Sequence, residues 1–162
     1  MLDESQYILI KTNQKYVIEY CNHSFQQLIG KSEPELVGQN LESVWVPTTP
    51  QAVRDFGAKR FDEQGFYTGF SAYRVGSRNY WVFFDFGKRF SIDGRWLGYE
   101  CLGYLPSKKG VDFFSTIYSK MESIEAEAEG NVGKKASLEY FLQSIDAMGC
   151  GYEELVCTLQ DL

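Results

Sequence analysis

The feature that most constrains the fold is a series of three strand-like segments rich in aromatic residues, at positions 66–73, 80–90 and 96–104. Their side chains alternate with a period of two, which is typical of β-strands. The breaks between them carry Gly76-Ser77 and Asp93-Gly94, dipeptides that favour tight turns. The segments therefore predict an antiparallel meander. Because the middle segment is apolar on both sides over part of its length, both of its faces are expected to be covered.

Shorter elements precede the meander. Residues 7–10 and 16–20 are rich in β-branched and aromatic side chains and flank a turn containing Asn13, which predicts a hairpin. Short helices are then predicted near residues 24–29, 32–37 and 49–65, because glycines stand at or just beyond their ends. The whole arrangement predicts an α+β domain of about 100 residues, with a five-stranded antiparallel sheet and short helices on one face.

The starts of the first two helices carry capping signals. Asn22 or Ser24 is placed to cap the first helix, and Ser32 with Glu35 has the spacing of a capping box at the second.

The chain divides at residue 105. Residues 1–105 form the predicted α+β domain, and residues 106–162 form a helical C-terminal extension, here called the tail. Apolar residues recur in the tail at alternating spacings of three and four, which is typical of amphipathic helices. Gly149 and Gly151 interrupt the second run, which predicts either two helices or one weakened helix. These stripes either pack on the sheet or form a surface for a dimer or a partner protein. They comprise Val111, Phe114, Tyr118 and Met121, then Leu138, Phe141, Ile145, Met148, Tyr152, Leu155, Leu159 and Leu162.

Composition excludes several classes of function. With 16 Lys and Arg against 22 Asp and Glu, the chain has a net charge of -6 and lacks the clustered cations of a nucleic-acid binder. It has no apolar run long enough to span a membrane and no signal peptide, so a cytoplasmic protein is expected.

Catalytic and metal sites are not indicated either. The single histidine and the four cysteines have neither zinc-site spacing nor a triad arrangement, and no phosphate-binding glycine loop occurs. The chain is therefore predicted not to be an enzyme. A small-molecule enzyme on a cystatin-like α+β scaffold is a remote alternative.

The order of these motifs resembles a PAS domain, and in particular the N-terminal PAS domain of bacterial aerotaxis receptors. The carrying segments are Tyr-Cys-Asn-His-Ser-Phe at 20–25, the helix-and-glycine pattern at 28–39, Gly65 with Tyr-Thr-Gly at 67–69, Tyr-Trp-Val at 80–82, and Asp93-Gly94 with Leu-Gly-Tyr at 97–99. The resemblance covers about residues 7–104. It implies a sensory domain with a cavity between the sheet and the short helices.

One departure from that family bears on the cofactor. Aerotaxis PAS domains that bind FAD carry Val-Arg-His-Pro-Asp-Met-Pro where this chain has Val-Trp-Val-Pro-Thr-Thr-Pro at 44–50. The Arg, His and Asp positions are Trp45, Val46 and Thr48, and the family's pocket Trp is Tyr67. FAD would lose a cation and two polar partners there, so the sequence predicts a degenerate flavin site and leaves the cofactor unidentified.

Two other PAS cofactor types are disfavoured. Haem needs an axial ligand, and the single histidine, His23, opens the first helix rather than lying on the long helix used by haem-binding PAS domains. The cysteine motif of the light-sensing flavin domains called LOV, which are PAS domains, does not occur.

These observations predict a sensory signalling domain, acting alone or in trans, that binds a small apolar or aromatic ligand and relays its state through the tail by population shift. The alternative is a ligand-free interaction module filled by its own aromatic residues, whose tail docks on a signalling protein or a second copy. Asp85 and Arg74 are candidate polar anchors, although Asp85 is also placed to pair with Arg74 or Lys88. The candidate ligand contacts, each also explicable as plain core, are Trp45, Phe56, Tyr67, Phe70, Trp81 and Phe83.

Overall fold

The computed structural model describes residues 7–128 and 130–161; residues 1–4, on which the signal-peptide prediction rests, and Leu162 of the tail stripe lie outside them. The described chain forms a six-stranded antiparallel sheet and seven helices. The strands are β1 (Tyr7–Asn13), β2 (Ile18–Cys21), β3 (Val46–Pro47), β4 (Phe66–Val75), β5 (Arg78–Phe90) and β6 (Trp96–Tyr104). The helices are α1 (His23–Ile29), α2 (Glu33–Leu36), α3 (Leu41–Val44), α4 (Gln51–Gln64), α5 (Lys108–Glu127), α6 (Asn131–Asp146) and α7 (Tyr152–Gln160).

The strands follow the order β2-β1-β6-β5-β4-β3 across the sheet. The predicted meander is confirmed, because β5 pairs antiparallel with both β4 and β6. The predicted count of five strands is one short. The extra strand, β3, extends the edge of the sheet by placing Val46 opposite Arg74 and Pro47 opposite Tyr73. A segment of two residues carries no periodicity that a sequence can reveal.

The predicted hairpin is present, but its second strand begins at Ile18 rather than at residue 16. Tyr16 lies in the turn with a φ of 59°, a left-handed conformation that few non-glycine residues adopt. The side-chain oxygen of Asn13 holds this turn by accepting hydrogen bonds from the backbone N–H groups of Lys15 at 2.8 Å and Val17 at 3.1 Å.

Both capping predictions are confirmed. The side chain of Asn22 accepts a hydrogen bond from the N–H of Phe25 at the start of α1. At α2, the Glu35 carboxylate accepts hydrogen bonds from the backbone N–H and the hydroxyl of Ser32, at 2.8 and 2.6 Å. The short helix α3 is not predicted by the sequence. The long helix α4 begins at Gln51, directly after Pro50, which agrees with the predicted start near Thr49-Pro50.

Alternation along the strands gives the sheet two apolar faces. The inner face packs against α1 to α3 and against Trp45, and it includes Ile8, Ile10, Val82, Phe84, Phe86 and Cys101. The outer face carries the opposite set of side chains and packs against the tail, and it includes Phe70, Phe83 and, at its margin, Trp81 and Tyr104. The expectation that both faces of the middle strand are covered is confirmed where Val82 and Phe83 are both buried.

The tail folds back onto the sheet. In α5, Phe114 stacks on Phe70 at a ring-centroid distance of 5.1 Å, and Tyr118 stacks on Trp81 at 5.6 Å. The approach is close at Gly110, where a Cβ atom would lie 2.1 Å from the Phe70 ring. The tail stripes therefore pack within the chain. The buried residues of the two stripes include Phe114, Tyr118, Met121, Phe141, Ile145, Tyr152, Leu155 and Leu159, whereas Met148 is exposed.

The tail also covers the edge of β4 beyond the short strand β3. Three alternate carbonyls of β4 that point away from β5 accept hydrogen bonds. The Tyr152 and Tyr118 hydroxyls of the tail donate to the carbonyls of Thr68 and Phe70, respectively. The Ala72 carbonyl accepts the backbone N–H of Thr48, next to β3. Satisfying these carbonyls protects the edge from pairing with another chain. None of the helices in the described residues is long and apolar enough to cross a lipid bilayer.

Candidate functional site

A cavity of about 460 Å³, here called the main cavity, lies between α4 and the inner face of the sheet. The helix contributes a wall of small and apolar residues, and the strands contribute mostly aromatic rings. Polar and charged side chains complete the lining. The lining residues are Tyr16, Thr49, Val53, Arg54, Gly57, Ala58, Phe61, Asp62, Tyr67, Phe70, Ser71, Phe84, Phe86, Lys88, Trp96 and Tyr99.

The position of α4 depends on a close approach at Gly57. A Cβ atom there would lie 2.8 Å from the Tyr67 ring, so only glycine allows the helix to lie this near to β4. Tyr16 also lines the cavity, with its ring parallel to that of Tyr99 at a centroid distance of 4.5 Å. The cavity wall is thus built from rings that are themselves held in place by packing.

A second cavity of about 180 Å³ lies beside the first, next to α3 and β3, and shares the walls formed by Tyr16, Phe84 and Phe86. Trp45 lines it and is 2% exposed. Its ring stacks on Tyr73 at 3.9 Å, and its indole N–H has no acceptor among the described residues.

The FAD site implied by the resemblance does not fit these residues. Trp45 occupies the expected cation position with a buried, stacked ring, and Val46 is an exposed edge-strand residue. Thr48 is fixed by its backbone N–H, which donates to the Ala72 carbonyl at 2.8 Å. None of these three residues supplies a cation for the phosphates of FAD.

Tyr67 joins the main cavity to the tail. Its ring forms part of the cavity wall and stacks on the ring of Tyr152 in α7 at 5.7 Å. The two hydroxyl oxygens lie 2.6 Å apart, and the Tyr152 hydroxyl donates to the Thr68 carbonyl at 3.1 Å. Since Tyr152 has a single hydroxyl hydrogen, Tyr67 must be the donor to Tyr152. Burial raises the pKa of Tyr67 to about 12, so both hydroxyls keep their protons at neutral pH.

The same region holds an ion pair between α4 and α7. The Nε of Arg60 donates to the Glu153 carboxylate at 2.9 Å, and the guanidinium lies 5.6 Å from the centre of the Tyr152 ring. The middle of the cavity helix is therefore attached to the last helix of the tail by charge as well as by aromatic packing.

The start of the cavity helix is attached to the tail by a single carboxylate. Pro50, the residue before α4, offers no side-chain cap. Instead Glu125 of α5 accepts hydrogen bonds from the N–H groups of Gln51 at 3.2 Å and Ala52 at 3.1 Å, and from the hydroxyl of Ser137 in α6 at 3.0 Å. Tail residues thus satisfy backbone donors that an isolated α4 would leave open.

Comparison with known proteins supports the fold. No protein-family model matches the sequence, and no curated protein does either. The structure is similar to the light-state structure of the LOV domain of the blue-light photoreceptor Aureochrome1, with a TM-score of 0.52 and 16% identity, over 70% of this chain and 90% of that chain. The chain has the fold of a PAS domain.

Two further structures with this PAS fold are similar to the chain. One is the PAS domain of a protein from Colwellia psychrerythraea, at 14% identity and a TM-score of 0.49 over 60% of this chain and 83% of that chain. The other is the PAS domain of nitrogen regulation protein NR(II) from Vibrio parahaemolyticus, at 14% identity and a TM-score of 0.49 over 61% of this chain and 88% of that chain.

Within the PAS fold, the predicted ligand contacts are divided among different places. Tyr67 and Phe70 line the main cavity, and Trp45 lines the second cavity. Phe56, although on the cavity helix, faces the tail and packs on Phe141 at 5.4 Å and on Tyr152 at 5.2 Å.

The remaining candidates lie on or beside the outer face. Trp81 and Phe83 pack in the core beneath the tail, and Arg74 is exposed. Asp85 accepts a hydrogen bond from the Thr68 hydroxyl at 2.6 Å and has no ion pair with Arg74 or Lys88. It lines a separate groove of about 260 Å³ on the outer face. These four residues are therefore not brought together with Tyr67.

Sequence reasoning missed most of the cavity wall. On β5 the residues that face the main cavity are Phe84 and Phe86. Trp81 and Phe83 point to the opposite face of the strand. Because both sets are apolar, alternation alone does not say which of them faces α4. The only sequence feature that could identify the cavity face was Lys88. This polar residue lies on the same face of β5 as Phe84 and Phe86 and is exposed. The other missed residues include Tyr16, Thr49, Phe61, Ser71, Trp96 and Tyr99.

Proposed function

We propose that this PAS domain is a sensory signalling module that binds a small, largely apolar or aromatic ligand in the main cavity. The ligand's state would reach the tail through Tyr67 and Tyr152. The observation that carries the proposal is the double role of Tyr67, whose ring lines the cavity and whose hydroxyl bonds to α7.

Size and lining favour a ligand over a filled interior. A volume of about 460 Å³ falls in the range of small-molecule sites, and such sites combine apolar walls with a few polar groups. The narrower likeness to aerotaxis receptors, with its flavin, remains a prediction that has no support from Trp45, Val46 and Thr48.

The relay follows from packing on both sides of one ring. A ligand that moves Tyr67 away from the cavity must also move Tyr152, because the two rings are stacked and their hydroxyls are bonded. Such a ligand shifts the balance between docked and released tails by its difference in affinity for the two states. A released tail presents Phe114, Tyr118 and Leu155 to a second copy or to a signalling protein.

The test is native mass spectrometry of the purified protein together with its absorption spectrum. The proposal predicts a bound small molecule, or an apo chain whose cavity binds added aromatic compounds. A flavin spectrum would show that the degenerate motif still holds FAD. A clean apo chain that binds none of a panel of aromatic compounds would contradict the proposal and support the ligand-free interaction module.

A further inference from the structure

The main cavity and the second cavity are neighbours, and one side chain stands where they meet. Among the described residues, three line both cavities: Tyr16, Phe84 and Phe86. Phe84 and Phe86 belong to β5 and form a common floor, because they lie on the inner face of the sheet. Tyr16 comes from the turn between β1 and β2. Of the three shared walls, it is the one that the sheet does not supply.

The ring of Tyr16 lies flat over aromatic residues of the sheet. It is nearly parallel to the ring of Tyr99, with an interplanar angle of 4° and a centroid distance of 4.5 Å, and it also stacks on Phe86 at 6.3 Å. On β6, Tyr99 lines the main cavity, and Cys101, the next residue on the same face, lines the second cavity. The Tyr16 ring thus lies where the floor passes from one cavity to the other.

The backbone holds this ring in place at a conformational cost. The φ of 59° at Tyr16 is left-handed, a conformation that glycine and asparagine adopt more readily than an aromatic residue does. The Tyr16 N–H donates to the Asn13 carbonyl at 3.1 Å, and the Tyr16 carbonyl accepts the N–H of Leu41, at the start of α3, at 2.9 Å. A turn that only joined β1 to β2 would be better served by glycine here. The strain at an aromatic residue therefore points to a role for the ring.

We propose that Tyr16 sets the length of the ligand that the main cavity accepts. A ligand lying on Phe84 and Phe86 meets the edge of the Tyr16 ring before it reaches the second cavity. Without that ring, the common floor is open and a longer ligand extends past it toward Cys101. This inference rests on the proposed function, since it assigns a specificity-determining residue to that same cavity.

The test compares two fluorescent probes of different length, 2-naphthol and 6-phenyl-2-naphthol, by titration of the full chain. The measured quantity is the ratio of the two affinities, from which a general loss of folded protein cancels. Tyr16→Gly removes the ring and suits the left-handed backbone. It should shift the ratio toward the longer probe by about tenfold, the effect of burying one additional ring.

Three further variants separate the ring from other effects. Tyr16→Phe keeps the ring and should keep the wild-type ratio. Tyr20→Ala removes an exposed ring that lines neither cavity and should also keep it. Tyr16→Asn is a second ring-free variant that tolerates the left-handed conformation, and it should reproduce the shift even if Tyr16→Gly folds poorly. An equal shift in Tyr16→Phe would contradict the role of the ring.

A double variant locates the additional ring of the longer probe. Leu41 lines the second cavity and not the main cavity, so Leu41→Phe in the Tyr16→Gly protein should fill that space and restore the wild-type ratio. An unchanged ratio in both ring-free variants, or a gain that survives Leu41→Phe, would overturn the proposal while leaving ligand binding intact. If neither probe binds the wild type, the proposal is also overturned, and the native mass spectrum decides the proposed function separately.

Discussion

The hydroxyl of Tyr67 lies 2.6 Å from the hydroxyl of Tyr152, and this hydrogen bond connects the wall of an internal cavity to the last helix of the chain. The two residues are 85 positions apart in the sequence. The direction of the bond is fixed, since Tyr152 uses its own hydrogen on the Thr68 carbonyl. A change in the cavity therefore has a direct route to α7 through one pair of side chains.

Removing the Tyr152 hydroxyl should loosen α7 without removing its ring. Tyr152→Phe deletes the bonds to Tyr67 and Thr68 and leaves the buried Tyr67 hydroxyl without an acceptor. The free energy of unfolding should fall by about 1–3 kcal/mol in a denaturant titration. Tyr20→Phe, at a residue that is 41% exposed, is the control and should change it by less than about 0.5 kcal/mol. Equal effects of both variants would show that the hydroxyl pair contributes nothing.

The close approach of α4 to β4 should not tolerate a methyl group. Gly57→Ala places a Cβ atom 2.8 Å from the Tyr67 ring, which can retreat only by displacing Tyr152, the residue stacked on it. We expect a loss of about 1–3 kcal/mol from overpacking, larger than the helix-propensity gain of about 1 kcal/mol.

The control for that substitution is Gly87→Ala, where a Cβ atom would meet nothing within 4 Å. Circular dichroism thermal melts on both variants make the comparison. A Gly57→Ala protein more stable than the wild type would show that α4 can move away from the sheet at little cost.

The cap that the tail provides to the cavity helix should be measurable. Glu125→Gln keeps the size of the side chain but replaces one accepting oxygen with an amide group that only donates. It also removes a negative charge at the start of α4, so a loss of about 1–2 kcal/mol is expected. Glu122→Gln, an exposed position on the same helix, is the matched control and should be close to neutral. Hydrogen exchange should accelerate at the first turn of α4 in the Glu125 variant alone.

Alkaline pH should destabilise the fold through a buried thiol. Burial raises the pKa of Cys101 from 9.0 to about 12. Below pH 9 both the folded and the unfolded chain keep this proton, so the thiol gives no pH dependence there. Above that value the unfolded chain ionises first, and stability falls until the pH reaches about 12.

The measurement is the urea midpoint as a function of pH. Cys101→Ala should fall less steeply than the wild type between about pH 9 and 11, whatever its stability at neutral pH. Cys157→Ala, at an exposed cysteine, should keep the wild-type slope. Identical slopes for all three proteins would contradict the assignment to Cys101.

The sequence predicted the elements that carry strong local signals. The aromatic period-two segments gave β4, β5 and β6, and the caps at Asn22 and Ser32 gave α1 and α2, because these signals act within a few residues. The two-residue strand β3 and the four-residue helix α3 depend on contacts with distant residues and have no such signal.

The site was harder to predict than the fold for a related reason. Phe84 and Phe83 are adjacent aromatic residues on one strand, and only the positions of α4 and α5 decide which ring faces the cavity. The left-handed Tyr16 and the Glu125 cap likewise depend on tertiary contacts. Tyr67 was found because the resemblance pointed to it, whereas its partner Tyr152 was assigned only to an apolar stripe.

The most direct test of the account is hydrogen exchange of the α7 amides, residues 152–160, with and without an aromatic compound that binds the cavity or the molecule that copurifies with the protein. The account predicts that a ligand in the main cavity changes exchange across α7 in the wild type and that this change is largely lost in Tyr152→Phe. A ligand that binds with its full affinity and leaves α7 exchange unchanged would contradict it.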